Sequence, residues 1–112
     1  MAYPKHINLI KNVLEEHKAE EIQIINVKER SPFFTYYVIA TCLNERQLNA
    51  LSDEVEEKLE ENGFGVKKKD GKPTSGWMII DAGDTLVHLF TNSKRLEVGL
   101  EDLLKKEETK KA

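Results

Sequence analysis

Two aspartates and a histidine stand close together in the segment GWMIIDAGDTLVHLF, residues 76–90. Asp81 and Asp84 are three residues apart, and His88 follows four residues later. Carboxylates that converge on divalent cations support phosphoryl or nucleotidyl transfer, and a nearby histidine can act as an acid or a base. One hypothesis for the chain is therefore a small nucleotidyl- or phosphotransferase that uses Asp81, Asp84 and His88.

The spacing of the two aspartates favours a turn over a metal site. A strand presents two carboxylates on one face when they are two residues apart, because successive side chains alternate. Asp81 and Asp84 are instead three apart and flank Gly83. Aspartates in turns commonly accept hydrogen bonds from their own backbone. The sequence thus predicts that both residues shape a hairpin.

The positions of the remaining reactive side chains do not indicate a catalytic residue, a cofactor site or a metal site. Cys42 is the single cysteine and follows an apolar, β-favouring run, where a thiol usually packs in the core. Together with Cys42, the histidines His6, His17 and His88 lack the close spacing of a structural metal site. The chain also contains no glycine-rich phosphate-binding loop.

The charge of the chain favours a protein partner over a nucleic acid. The 112 residues include 17 basic and 20 acidic side chains, which gives a formal net charge of −3. Nucleic-acid binding usually requires a basic excess, so little direct nucleic-acid contact is expected. An acidic domain is better suited to a basic protein surface. The lysine run at residues 67–69 is a local exception that fits either a solvated loop or a contact with phosphates such as those of rRNA.

The cellular location is predicted from what the sequence contains near its start and from its cysteine usage. The opening residues carry acids in a helical pattern, unlike the apolar centre of a signal peptide. No apolar run approaches the roughly 18 residues of a membrane span. One cysteine suits a reducing compartment. We expect a cytoplasmic protein that makes no membrane contact.

The hydrophobic pattern predicts an α/β fold: one small domain in which helices flank a mixed sheet. A helix with a stripe of Ile7, Ile10, Leu14 and His17 is expected to start near Pro4 and end at Glu20 or Glu21. Further predicted elements are a strand at 21–27, a central strand at 35–41, a helix at 44–62 capped by Asn44, a polar loop at 65–76 with a short strand near its start, hairpin strands at 77–81 and 85–90, and a helix at 99–106. The helix at 44–62 is expected to connect two parallel strands. The domain should cover residues 1–104, followed by a charged, frayed tail at 105–112.

Two side chains of the hairpin suit either the core or a binding surface. Trp77 opens a strand directly after Gly76, and tryptophan is enriched among the few residues that dominate protein interfaces. His88 is expected to be a half-buried sheet residue whose neighbours Val87 and Leu89 face the opposite side.

The order of residues in the hairpin resembles the signature of the ribosomal silencing factor family, also called Iojap proteins. The pattern W-x-x-x-D-x-G-D-x-x-V-H-x-F is formed here by Trp77, Asp81, Gly83, Asp84, Val87, His88 and Phe90. The resemblance extends to YYVIAT with Arg46 and Gln47 upstream, and to Arg95, Leu100, Glu101 and Leu103 downstream, so it covers about residues 20 to 104. The chain departs from the family pattern at Asn26, Lys28, Thr35, Cys42, Val98 and Leu104.

The resemblance implies a domain similar to the nucleotidyltransferase superfamily, without demonstrated catalysis. Asn26 and Thr35 stand where a nucleotidyltransferase would want acids. The resemblance also implies a translation repressor that binds the large ribosomal subunit through ribosomal protein number fourteen of the L series. Binding there would block the small subunit under nutrient limitation, and the free protein would be a homodimer. A dimeric adaptor unrelated to ribosomes is the remaining alternative.

On that basis, we expect the partner-binding residues to lie in and just after the hairpin. Trp77 would be the aromatic anchor with Met78 beside it, and Asp81 and Asp84 would pair with basic side chains of the partner. Arg95 would orient the acidic hairpin or reach the partner. The full expected set is Trp77, Met78, Asp81, Asp84, His88 and Arg95.

Overall fold

The order of helices and strands follows the predicted α/β pattern through most of the chain. A computed structural model describes residues 3–101. Its elements are α1 (Lys5–Glu16), β1 (Glu20–Asn26), β2 (Tyr36–Cys42), α2 (Glu45–Glu61), β3 (Lys68–Lys72), a short 3₁₀ helix (Pro73–Ser75), β4 (Trp77–Asp81), β5 (Thr85–Thr91) and α3 (Asn92–Val98). None of the helices in this part of the chain is both long and apolar enough to cross a membrane.

The five strands form one mixed sheet in the order β1-β2-β5-β4-β3. Strands β2 and β5 run parallel, and the other three neighbouring pairs are antiparallel. The connection between the parallel strands contains α2, β3 and β4, so the predicted crossover helix is part of a longer path. The predicted interior position of β2 is confirmed, although β5 is the middle strand.

The core lies between one face of the sheet and the helices α1 and α2. Alternation within each strand sends every second side chain to this face, as in β4, where Met78 and Ile80 are buried. The stripes of α1 and α2 complete the core with Ile7, Ile10, Val13, Leu14, Leu48, Leu51, Val55 and Leu59. The opposite face of the sheet receives no side chain from these stripes.

The N-terminal cap of α2 has the predicted form. The side-chain oxygen of Asn44 accepts a hydrogen bond from the backbone N–H of Gln47 at 2.8 Å. The Gln47 side chain in turn accepts from the backbone N–H of Leu43. The first bond satisfies a backbone donor that the first turn of a helix leaves free, and the second ties the residue before the cap to that turn.

The end of α1 differs from the prediction. The helix stops at Glu16, so His17 is its exposed C-cap and does not extend the apolar stripe. The backbone N–H of Ala19 bonds to the carbonyl of Leu14 at 2.9 Å, and Lys18 has a φ of 61°. This is a Schellman ending, which usually places glycine in the left-handed position. A lysine occupies that position here, and the usual stop signal is therefore missing.

The C-terminal helical region also starts earlier than predicted. Helix α3 directly follows β5, and Gly99, predicted to begin a helix, ends α3 with a φ of 59°. Leu100 and Glu101 are again helical. Leu103, Leu104 and the predicted domain boundary after residue 104 lie outside the described residues.

Substituting Gly71 with alanine is expected to detach the edge strand β3 from β4. Gly71 has a φ of 94°, and a Cβ there would overlap the carbonyl oxygen of Trp77. We expect a loss of about 3 kcal/mol or more in the free energy of unfolding, from backbone strain plus the clash. Gly83→Ala is a matched control, because Gly83 has a φ of 89° but open space around it. Urea denaturation of both variants would contradict this account if their losses were equal.

Candidate partner-binding face

Ring side chains line the face of the sheet opposite α1 and α2. Tyr37, Trp77, His88 and Phe90 form what we call the aromatic face, and Phe34 extends it at one end. The centroid of the His88 ring lies 4.9 Å from that of Tyr37 and 6.0 Å from that of Trp77. Trp77 stacks on Phe90 at 5.1 Å, and Phe34 meets Tyr37 at 6.1 Å. The register explains this grouping, because Trp77 lies opposite Phe90 in the antiparallel β4–β5 pair.

Trp77 is held in one orientation although it is only partly buried. Its indole Nε1–H donates a hydrogen bond to Nδ1 of His88 at 3.2 Å, and its ring rests on Phe90. Phe90 is itself fully buried. A large aromatic side chain that is ordered before binding loses little conformational entropy when a partner covers it. This position therefore meets the physical requirements of an interface anchor.

His88 lies at the centre of the aromatic face and is neutral at physiological pH. Its exposed fraction is 4%, and this burial lowers its pKa to about 4. Because Nδ1 accepts the Trp77 bond, the ring proton must be on Nε2. Nε2 is buried and has no hydrogen-bond partner in the described part of the chain.

Asp81 caps the β4–β5 turn as predicted, whereas the Asp84 side chain ties the hairpin to α1. The Asp81 carboxylate accepts a hydrogen bond from the backbone N–H of Gly83 at 3.0 Å. The Asp84 carboxylate accepts from Nε2 of His6 at 2.8 Å and from the Thr85 hydroxyl at 2.9 Å. His6 thereby joins the first turn of α1 to the hairpin. The sequence carries no local signal of this contact, since His6 and Asp84 are 78 residues apart.

The three residues of the alternative transferase hypothesis are not hydrogen-bonded to one another. Each of Asp81, Asp84 and His88 makes its side-chain hydrogen bonds to other groups, and no hydrogen bond joins any two of them. Across residues 3–101, no group of three or more histidines, cysteines or acids is arranged to hold a metal ion.

Met78, which was expected beside Trp77 in the binding set, lies on the core side of the sheet. It is 4% exposed and belongs to the core between the sheet and the helices. Met78 directly follows Trp77 in a strand, so the two side chains point to opposite faces. Alternation alone would have revealed this from the sequence.

Arg95 also differs from its expected role, because its guanidinium is occupied within the chain. It is 8% exposed and donates to both carboxylate oxygens of Glu101, at 2.8 and 3.0 Å. It also donates to the Thr41 hydroxyl and to the carbonyl of Glu21, each at 2.8 Å. Arg95 therefore fastens α3 to β1 and β2, and none of these contacts orients the hairpin.

Two of the three lysines in the 67–69 run are paired with acids. Burial alone would lower the pKa of Lys69, but hydrogen bonds to Asp53 and Glu56 outweigh that effect and raise it. Lys68 lies 3.4 Å from the carboxylate of Asp70. These contacts favour the interpretation of the run as a solvated, charged edge.

Cys42 packs in the core, as its position after an apolar run predicts. Burial raises the pKa of the Cys42 thiol to about 12. The thiolate form is therefore negligible at neutral pH, and the thiol is a poor nucleophile.

Comparisons with known proteins identify relatives along almost the whole chain. The family model described as "Ribosomal silencing factor during starvation" (RsfS) matches residues 2–112. The chain is 29% identical to the ribosomal silencing factor RsfS of Halalkalibacterium halodurans over 103 residues, which cover 92% of this chain and 88% of that protein. It is 25% identical to the "Mitochondrial assembly of ribosomal large subunit protein 1" of Mus musculus, with 87% of this chain and 44% of that protein covered.

A solved structure supports the same grouping through the fold. The crystal structure of a Chromobacterium violaceum protein superposes with a TM-score of 0.85 at 28% identity, covering 92% of this chain and 86% of that one. Given the family match over residues 2–112 and the shared α/β fold, the chain belongs to the ribosomal silencing factor (RsfS) family.

Proposed function

We propose that this protein binds the large ribosomal subunit through its aromatic face and thereby blocks association with the small subunit. The observation that carries the proposal is Trp77, which is partly exposed yet fixed by a hydrogen bond and a stacked ring. Around it the face offers apolar rings together with the Asp81 carboxylate on the same strand. Such a surface suits a partner with apolar and basic groups.

Family membership supports the ribosome as the partner. The mouse relative is named for the assembly of the mitochondrial ribosomal large subunit, which favours this subunit over the small one. We propose ribosomal protein number fourteen of the L series as the contact and the cytoplasm as the location. We also propose that the protein represses translation under nutrient limitation. The free protein would be a homodimer.

The mechanism is steric. An interface of about 1,200–2,000 Å² in total is enough for a specific complex between proteins. If that interface overlaps a bridge between the subunits, occupancy alone prevents joining, and no catalytic step is required. The net charge of −3 suits a basic ribosomal protein better than exposed rRNA.

The first test is cosedimentation of the full chain with salt-washed large subunits, with small subunits as the matched control. We expect saturable binding to the large subunit only. Equal recovery with both subunits, or recovery with neither, would contradict the proposed partner.

Titration with nucleotide and magnesium by calorimetry should give no saturable heat, whereas clear saturation would favour the transferase hypothesis.

A further inference from the structure

The unsatisfied Nε2–H of His88 is the structural feature that the proposed function leaves without a role. His88 is 4% exposed, and Nε2 has no partner among the described residues. A buried donor without an acceptor costs about 1–3 kcal/mol, and native proteins retain few of them. The Trp77 bond to Nδ1 fixes the ring so that this unpaired group is a donor and not an acceptor.

We infer that the Nε2–H of His88 donates a hydrogen bond to a main-chain carbonyl oxygen of the protein that covers the aromatic face. This inference rests on the proposed function and names the chemistry by which that site recognises its partner. A partner that supplies the oxygen satisfies a donor that the free protein leaves unpaired. The bond therefore contributes more to binding than a hydrogen bond exchanged with water.

A neutral oxygen fits this position better than a carboxylate or a phosphate. The side chains around His88 on the sheet are the rings of Tyr37, Trp77 and Phe90 together with Ile39 and Ile79. None of these five side chains carries a charge, so an anion held against them would gain nothing from them to offset its desolvation. A main-chain carbonyl carries no net charge and is present along every peptide segment.

Tyr37 is the aromatic ring that lies closest to His88, with the two ring centroids 4.9 Å apart. Trp77 is tied to Nδ1 by a hydrogen bond, whereas the Tyr37 ring packs against the rings of His88 and Phe34. Tyr37 is also partly exposed. The inferred bond requires that the Tyr37 ring rotates as the partner docks and so uncovers Nε2, while the Trp77 bond to Nδ1 is kept.

Two amide substitutions separate this recognition role from a purely structural one. An asparagine side chain places its polar atoms near the Nδ1 position, whereas glutamine reaches the Nε2 position. His88→Asn thus keeps an acceptor for Trp77 but loses the outward donor, and His88→Gln keeps a donor but loses the acceptor. We expect His88→Asn to raise the Kd for salt-washed large subunits about tenfold. His88→Gln should raise the same Kd less than about fivefold. The reverse ranking would assign His88 to holding Trp77 and would overturn the inference.

Two further measurements decide the remaining outcomes. Long-range ¹H–¹⁵N correlation spectra of the free wild-type protein should show His88 with its proton on Nε2, and a proton on Nδ1 would overturn the inference even if a variant fails to fold.

The ratio of the His88→Asn and wild-type Kd values should be unchanged between 50 and 300 mM KCl, in line with a neutral acceptor. A ratio that falls towards one as salt rises would indicate an rRNA phosphate instead. Wild-type binding with no loss in His88→Asn refutes this inference alone, whereas absent wild-type binding refutes the proposed function with it.

Discussion

Replacing Trp77 with alanine is expected to weaken binding to the large subunit about thirtyfold, which corresponds to about 2 kcal/mol. The substitution removes the partly exposed ring and leaves Phe90 beneath it uncovered. It also frees Nδ1 of His88, so the central ring of the aromatic face loses its fixed tautomer. The loss should be measured by cosedimentation at increasing subunit concentration.

Two control variants make the Trp77 result specific. Leu43→Ala truncates another large apolar side chain, 80% exposed, that follows β2 and is not part of the aromatic face. It should bind as the wild type does. Trp77→Phe keeps an aromatic ring against Phe90 but lacks the indole N–H, so it should show an intermediate affinity. A folded Trp77→Ala variant with unchanged affinity would exclude the anchor role.

Replacing Arg95 with alanine should cause a large loss of stability, because this buried side chain makes four hydrogen bonds. The substitution removes four hydrogen bonds: two to the Glu101 carboxylate, one to the Glu21 carbonyl in β1 and one to the Thr41 hydroxyl in β2. The Glu101 carboxylate and the Glu21 carbonyl lose these donors at a position where the side chain is only 8% exposed. We expect a decrease of about 2–4 kcal/mol in the free energy of unfolding, measured by urea denaturation.

The matched comparison is an exposed ion pair. Lys58 lies 3.6 Å from Glu61 on the surface of α2, and both side chains are about half exposed. Lys58→Ala should therefore cost less than about 0.5 kcal/mol. Arg95→Lys should recover only a minority of the loss, because an ammonium cannot reproduce the two-pronged contact with Glu101. A cost for Arg95→Ala no greater than that for Lys58→Ala would contradict the role described for this guanidinium.

The sequence was most informative where one local pattern determines structure. The Asn44 and Gln47 spacing located the start of α2, and the residues around Gly83 located the hairpin. The sequence failed at the end of α1, where Lys18 takes the conformation that glycine usually marks. It also failed at Gly99, a C-cap mistaken for a helix start.

The site was predicted in part for the same reason. Trp77 and His88 share a face because of strand alternation and register, which the hairpin pattern encodes. The bond between Asp84 and His6 and the contacts of Arg95 with Glu21 and Thr41 join residues far apart in sequence. No local pattern reports such contacts, because they depend on how the helices pack across the sheet.

The most direct test of the central claim is a subunit-joining assay. Purified large subunits are first incubated with the full chain, small subunits are then added, and joined ribosomes are measured by light scattering or on sucrose gradients. Joining should fall in proportion to the occupancy measured by cosedimentation, and Trp77→Ala should restore it at the same protein concentration. Normal joining by large subunits saturated with the wild-type protein would contradict the steric mechanism.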